Sequence, residues 1–375
     1  MSKEEYIKQL KIKGLEKTYE TKLEAMKTHE LQQIFLEVTL RCNAKCEHCG
    51  SSCGEKIQKD EVSAEDLKRM LKDVANHYDA RKILLDVTGG EPLMRKDLFD
   101  IMEYASKLGF MWGMTTNGML INDHIIDEFN RTNMETVSIS IDGIGKTHDD
   151  FRHVPGSYGI IMDNIKKLKK SKEKGILKIL MVTTVVNKKN INELEDLYKI
   201  MLDLDIDMWR VVAVDPIGRA KKNDEILLGP EEYEYLFKFM KEKNRLGKLQ
   251  LTTGCPHYMG LTYEKLFRTH YFFCVTGIHI GSVLSNGDIF VCPNVPRVPE
   301  LIQGNIKKDS FVDVWENKYQ AFRDPNRSKS KKCEKCKYWK YCLGDSFHTF
   351  DYVNKRQNIC IAKMFSKKLL DEVEK

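Results

Sequence analysis

The chain reads as an α/β protein built on a parallel sheet and followed by a cysteine-rich, strand-poor segment. Two observations predict this. From residue 32, short apolar strands alternate with amphipathic helices; beyond about residue 250 that alternation gives way to seven of the eleven cysteines. Repeated strand-then-helix units imply right-handed crossovers, in either an open sheet or a partial barrel. In both forms ligands gather at the carboxyl ends of the strands.

The candidate strands are IFLEVT (34–39), KILLDVT (82–88), FMWGMTT (110–116), TVSISI (136–141), LKILMVTTVV (177–186) and MWRVVAV (208–214). The clearest helix is SAEDLKRMLKDVANHY, where Ser63 is the expected N-cap and Leu67, Met70, Leu71 and Val74 share one face. Others are expected in DLFDIMEYASKL, SYGIIMDNIKKLKKS and NINELEDLYKIMLDL. After PIGRA (216–220) the pattern changes, with a connecting helix near 230–245. In IHIGSVLSNGDIFVC, apolar alternation flanks Asn286-Gly287, which predicts a hairpin with a tight primed turn. The region beyond 250 has few apolar runs, so metal sites are expected to help hold it together. At 375 residues two domains are the default. The expected division is an N-terminal helical segment (1–31), the α/β unit (32–220), a helical connector (221–250) and the cysteine-rich domain (251–375).

Apolar residues make up 42% and charged residues 31%, an ordinary globular balance, and the net charge of +6 is spread along the chain. The lysine runs are separated and carry few aromatics, so no nucleic-acid partner is expected. The charged start, MSKEEYIKQLKIKG, has no signal-peptide pattern, and no window is apolar enough to cross a membrane. The cytoplasm is the expected location, where thiols stay reduced and point to metal or catalysis.

CNAKCEHCGSSCG, residues 42–54, places Cys42, Cys46 and Cys49 in C-x3-C-x2-C spacing directly after the first strand. Three thiolates on one loop hold three corners of a cubane and leave the fourth iron open, whereas a closed structural cluster wants four. Zinc ordinarily takes two CxxC pairs or Cys/His pairs. Cys53 is read as a local thiol beyond the loop.

On these residues the sequence resembles the radical S-adenosylmethionine (SAM) enzymes, whose hallmark is this loop on the first strand of a partial (β/α)6 barrel. Further features fall where that family places them. TGGEPLM brings Gly89, Gly90 and Glu91 to the end of the second strand, where the family meets the methionine amino group. Asn117 closes the third strand, and Ser140 with Arg152 follows the fourth, positions the resemblance assigns to the cofactor's ribose and carboxylate region. His48 takes the place beside the adenine. The cysteines beyond 250 resemble the SPASM extension, which carries two auxiliary iron–sulfur clusters. Carried over, Cys333, Cys336, Cys342 and Cys360 fill one cluster, while Cys255, Cys274 and Cys292 supply three ligands of the other. The pattern's usual cysteine four residues after Cys342 is Ser346 here. That leaves an open iron, a ligand such as Ser346 or Asp345, or a smaller or missing cluster. Spacing alone also permits a zinc ribbon on Cys333, Cys336 and Cys342 with Cys360 or His348.

The resemblance implies a fold, a partial (β/α)6 barrel with an iron–sulfur domain containing a β-hairpin, and a reaction. A reduced 4Fe–4S cluster cleaves SAM to a 5′-deoxyadenosyl radical, which abstracts a substrate hydrogen atom. A one-electron reductant of flavodoxin or ferredoxin type is the expected partner. The expected substrate is a peptide or protein, with a tetrapyrrole of heme synthesis or another small metabolite as the alternative. Sulfatase-type maturation is disfavoured, because its usual Asp after the second hairpin cysteine is Pro293 here, followed by Asn294. The short stretch before the first strand makes a fused peptide-recognition domain unexpected. No catalytic acid–base pair is identified; His257, Asp215 and Asp345 are candidates by location only.

Overall fold

The computed structural model describes residues 3–54, 60–173, 177–254, 257–260, 264, 268 and 271–364, with side chains described from residue 14 onward except residue 15. Cys255 therefore lies outside the described residues. Helix α1 (Lys3–Thr28) leads into six parallel strands: β1 (Gln33–Thr39), β2 (Leu84–Gly89), β3 (Met111–Thr116), β4 (Thr136–Ser140), β5 (Ile179–Val186) and β6 (Met208–Ala213). The connecting helices are α2 (Ala64–His77), α3 (Leu98–Lys107), α4 (Asp123–Arg131), α5 (Lys146–Arg152), α6 (Ser157–Glu173) and α7 (Leu194–Asp203). After β6 comes α8 (Pro230–Leu246). The six strands stand in chain order within one sheet, so each crossover moves to the adjacent position, as in a partial (β/α)6 barrel.

Local chemistry accounts for the elements. The Ser63 hydroxyl accepts the Asp66 N–H and starts α2, whose Leu67, Met70, Leu71 and Val74 are buried at helical spacing. β5 alternates buried and half-buried residues along its whole length, the pattern of a pleated strand with one face in the core.

Beyond 250 the outcome differs from expectation. β7 (Gln250–Thr252) extends the sheet beyond β6. At the opposite edge β8 (Ile280–Val283) pairs in parallel with β1, Gln33 to Ile280 through Leu36 to Val283. β9 (Asp288–Phe290) and β10 (Gly304–Asn305) follow antiparallel, making ten strands in all. The cysteine-rich half thus shares the barrel's sheet. It also shares the core: Phe311 and Trp315 of α9 (Phe311–Lys318), with Tyr319, Phe322, Phe347 and Ile361, belong to the same buried cluster as the barrel residues. The hairpin is present, but its turn is not the primed kind. The Gly287 N–H closes a turn onto the Leu284 carbonyl, and within that turn only Gly287 has positive φ. Two left-handed residues are required by the primed turn, one by the wider turn seen here.

Candidate active site

The cysteine loop closes at the carboxyl end of β1. The Cys42 N–H donates to the Gly54 carbonyl (2.8 Å) and the Gly54 N–H to the Leu40 carbonyl (3.2 Å), which ties off a ring of chain. The loop rests on α5, where the Lys45 and Glu47 N–H groups donate to the carbonyls of Arg152 and Phe151. A second support comes from the segment after β6. Arg219 donates from its backbone N–H to the Cys49 carbonyl (3.1 Å), from Nε to that of Cys46 (2.7 Å) and from Nη1 to that of Cys53 (2.9 Å). Gly218 lies directly against the loop: a Cβ there would stand 2.2 Å from the Cys49 carbonyl oxygen, and its φ is +52°. Sequence reasoning missed both residues, because nothing local to PIGRA shows which loop it meets.

A cavity of about 210 Å³ opens over these sulfurs. Its wall brings together Cys42, Cys46, Cys49, His48, Gly89, Gly90, Asn117, Ser140 and Arg152, all expected from sequence, with Arg219, Pro293 and Asn294 added. Gly90 has no room for a side chain, since a Cβ would lie 2.1 Å from the Arg41 carbonyl oxygen. Glu91 differs from expectation. It does not line the cavity; it is fully buried behind it. Its carboxylate accepts from the Thr116 hydroxyl (2.7 Å), the Asn117 N–H (2.8 Å) and the Leu93 N–H (3.2 Å). Those bonds fix the ends of β2 and β3, so Glu91 shapes the rim from one layer back. Arg152 keeps its charge beside Asp142, which accepts from Nε (2.9 Å) and pairs with Nη2 (2.7 Å). His48 stacks on Phe151 at 4.9 Å, and burial pulls its pKa down to about 4, so the ring is neutral.

The thiols have the chemistry of cluster ligands. Burial pushes Cys42 up to about 12 and raises Cys46, so bare thiolates are disfavoured there. Cys49 moves the other way, to about 6, chiefly because Cys53 hydrogen-bonds to its sulfur; the Cys53 N–H also points at Cys49 Sγ at 3.4 Å. Buried thiolates call for a cationic partner, and a cluster's irons supply one. The buried His48 Nδ1 has no hydrogen-bond partner among the described residues.

The described C-terminal cysteines fall into two groups. Cys274 charge bears on Cys292, while Cys360 bears on Cys342 and Cys336 on Cys360. Asp345 does not present itself as a cluster ligand. One of its oxygens accepts the Tyr258 and Ser346 N–H groups (both 2.9 Å), and the other takes His257 Nδ1 at 3.2 Å. Zinc also fits poorly. Zn–S bonds of about 2.3 Å in a tetrahedron bring sulfurs within roughly 4 Å of one another. Among the described residues the one trio of potential ligands within 4.8 Å is Asp215, His257 and His348, with no cysteine in it. His348, weighed from sequence as a zinc ligand, donates instead from Nε2 to Asp215 Oδ2 (2.8 Å). Asp215 Oδ1 takes His257 Nε2 at 2.8 Å. The three acid–base candidates are thereby joined, with His348, into one buried chain. Burial opposes charge on His257, but Asp345 and Asp215 together outweigh it and lift its pKa to about 10. Asp215 is held well below the usual carboxylate range; burial opposes this, and His257 and His348 overcome it.

Beside the cysteine cavity, and sharing Gly50, Ser51, Pro293 and Asn294 with it, lies a second chamber of about 390 Å³. Its wall includes Lys221, Arg297, His348 and Tyr352. Asn294, following the Pro293 that replaces the sulfatase-type Asp, lines both spaces and, as an amide, provides no base there.

Comparison with known proteins agrees with this architecture. Residues 36–201 match the model of the radical SAM superfamily, and 274–337 match that of the SPASM iron–sulfur cluster-binding domain. The chain is 29% identical to the AdoMet-dependent heme synthase of Methanosarcina barkeri, over 84% of this chain and 91% of that one. It is 23% identical to the PqqA peptide cyclase of Bradyrhizobium diazoefficiens, over 81% and 78%. Among solved structures, Streptococcus suis SuiB bound to S-adenosylmethionine superimposes with a TM-score of 0.69 at 16% identity, covering 90% of this chain and 79% of SuiB. Among the described residues no helix is long and apolar enough to cross a membrane. The cysteine loop, the strand-end cavity and the two matched models together make this chain a radical SAM enzyme with a C-terminal SPASM domain, using S-adenosylmethionine and 4Fe–4S clusters.

Proposed function

We propose that the substrate is a tetrapyrrole and that the enzyme belongs to heme-type macrocycle synthesis, in place of the peptide substrate expected from sequence. The observation that carries this reading is the match to a heme synthase along nearly the whole of both chains, at higher identity than the peptide cyclase. The second chamber is consistent with it. It adjoins the cysteine cavity through shared walls and has the cation Lys221 on its surface, suited to a carboxylate side chain of a biosynthetic tetrapyrrole.

In this reading Cys42, Cys46 and Cys49 hold the catalytic cluster, and His48, Gly89, Gly90, Asn117, Ser140 and Arg152 bind S-adenosylmethionine. Glu91 holds the Asn117 backbone at the rim. Cys333, Cys336, Cys342 and Cys360 hold one auxiliary cluster, and Cys274 and Cys292 take part in the other together with Cys255. The bound cofactors supply one-electron cleavage of a sulfonium and removal of a substrate hydrogen atom. The protein's own part is to seat the substrate edge at the wall shared by the two spaces and to keep water and stray hydrogen donors out. Pro293 and Asn294 place the C-terminal half at that wall. The electron comes from a flavodoxin- or ferredoxin-type donor in the cytoplasm, and the divisions at 220 and 250 mark segments of one shared sheet and core.

The test is anaerobic turnover with dithionite and S-adenosylmethionine against a panel of tetracarboxylate porphyrins and cysteine-rich peptides. The expected result is 5′-deoxyadenosine formed in step with a mass change in a porphyrin. Mass change in a peptide alone would return the assignment to peptide maturation.

A further inference from the structure

We propose that His348 is an axial ligand for the metal at the centre of the tetrapyrrole, binding through the Nδ1 lone pair. The inference rests on the tetrapyrrole reading and adds to it a residue that positions the macrocycle through its metal.

The argument starts from hydrogen bonding. Asp215 Oδ2 receives His348 Nε2 at 2.8 Å. An ionised carboxylate only accepts, so Nε2 carries a proton, and in the tautomer that binding to a metal requires the lone pair is on Nδ1. Among the described residues Nδ1 has no hydrogen-bond partner, and it is absent from the partnerless polar atoms sealed away from solvent. His348 forms part of the second chamber's wall, and Nδ1 is the ring nitrogen that Asp215 does not engage.

The ring is also held as a ligand needs to be. Asp215 is shared with His257 at 2.8 Å, His257 is held in turn by Asp345 at 3.2 Å, and Asp345 is fixed by the N–H groups of Tyr258 and Ser346. A carboxylate on the far nitrogen orients an imidazole and strengthens it as a donor to metal. Neutral imidazole is a common iron ligand, and a proximal histidine holds the iron of many haem proteins. The chain of four side chains runs from the end of the sixth strand into the cysteine-rich half. It therefore fixes His348 relative to the barrel rather than to a flexible loop. Lys221 on the same wall is placed for a peripheral carboxylate, and the wall shared with the cysteine cavity receives the reacting edge.

The experiment uses the full-length, anaerobically purified holoenzyme. It is titrated with the iron(III) complex of a tetracarboxylate porphyrin and, separately, with the metal-free porphyrin, followed by the Soret band and by electron paramagnetic resonance. The wild type is expected to give the signature of imidazole-ligated ferric iron. His348→Ala should lose that signature and regain it with added imidazole, while binding the metal-free porphyrin as before. His348→Gln serves if the alanine variant is unstable, and unchanged binding of the metal-free porphyrin reports that either variant is folded. Asp215→Asn should weaken iron-porphyrin binding by roughly tenfold or more through the orienting bond. An unchanged spectrum in the His348 variants, or a wild-type complex without imidazole ligation, overturns the axial role and leaves the tetrapyrrole reading standing. Failure of the wild type to bind either porphyrin overturns both.

Discussion

Gly218 and Arg219 hold the cysteine loop in place from a segment that follows β6, with Arg219 Nε reaching the Cys46 carbonyl across 173 residues of sequence. Replacing Arg219 with Met leaves the carbonyls of Cys46 and Cys53 without their donor, a cost of about 1–3 kcal/mol for a buried unsatisfied acceptor. The expected outcome is selective. The variant should lose about four irons per chain and its deoxyadenosine formation while the auxiliary iron stays, measured as iron and acid-labile sulfide on anaerobic protein. Equal loss from all clusters would show that Arg219 supports general stability instead. Gly218→Ala should be more severe, because the new methyl would meet the Cys49 and Gly50 carbonyl oxygens at 2.2 and 2.4 Å in a left-handed backbone. Colourless or insoluble protein is expected, and a brown, active variant would contradict the close approach. At this scale the cysteines, the Gly89-Gly90 turn, Asn117, Ser140 and Arg152 were legible because each sits at a fixed offset from a strand end. Glu91 was read as facing the cofactor because its sequence position puts it on the rim. Which layer its carboxylate occupies depends on Thr116 and Asn117 of the neighbouring strand. Arg219 and the joining of Asp215, His257, Asp345 and His348 depend on chain crossings that leave no local trace.

At the scale of elements, legibility followed length and periodicity. The six barrel strands and α2, α3, α6 and α7 fall within a few residues of their expected limits, because each strand is a bounded apolar run and each helix carries a sustained period of 3.6. β7 is three residues long and carries no period to read. α9 shows how the two halves meet. Its Trp315 is fully buried and stacks on Phe311, and the Arg323 guanidinium covers it at 4.8 Å from the ring centre. A Cβ on Gly281 of β8 would lie only 3.3 Å from the Trp315 ring, so this side chain packs on the strand that joins the hairpin to the barrel. Trp315→Ala should destabilise the protein by about 3–5 kcal/mol, the range for emptying a large aromatic site. Chemical denaturation of the anaerobic protein checks it; a loss under about 1 kcal/mol would mean that the site collapses around the gap. Ser63→Ala removes the acceptor of the Asp66 N–H and should cost about 1 kcal/mol, with no change in iron content.

At the scale of the molecule, the parallel pairing of β8 with β1 decides what the clusters hold together. From composition, the region beyond 250 is short of apolar runs and in need of metal; in the structure its strands are ladder partners of β1 and its aromatic residues lie in the barrel core. Pairing between segments some 250 residues apart leaves no signature in either one, which is why composition misjudged the region. The dependence on iron should therefore be graded. Residues 280–322 are secured by backbone hydrogen bonds to β1 and by Phe290, Phe311, Trp315 and Tyr319, none of which requires a metal. Residues 331–342 are short turns of helix around Cys333, Cys336 and Cys342 with no residue fully buried, whereas 343–350 pack into the interior through Leu343, Phe347 and Phe350. After the clusters are stripped with oxidant and chelator, hydrogen exchange should stay slow in 33–39 and 280–318 and become fast in 331–342, with far-ultraviolet circular dichroism largely retained. Exchange that becomes fast throughout 280–318 would show that the metal, and not the shared sheet, organises the C-terminal half. Retained protection in 331–342 would show that protein contacts alone suffice to order that segment.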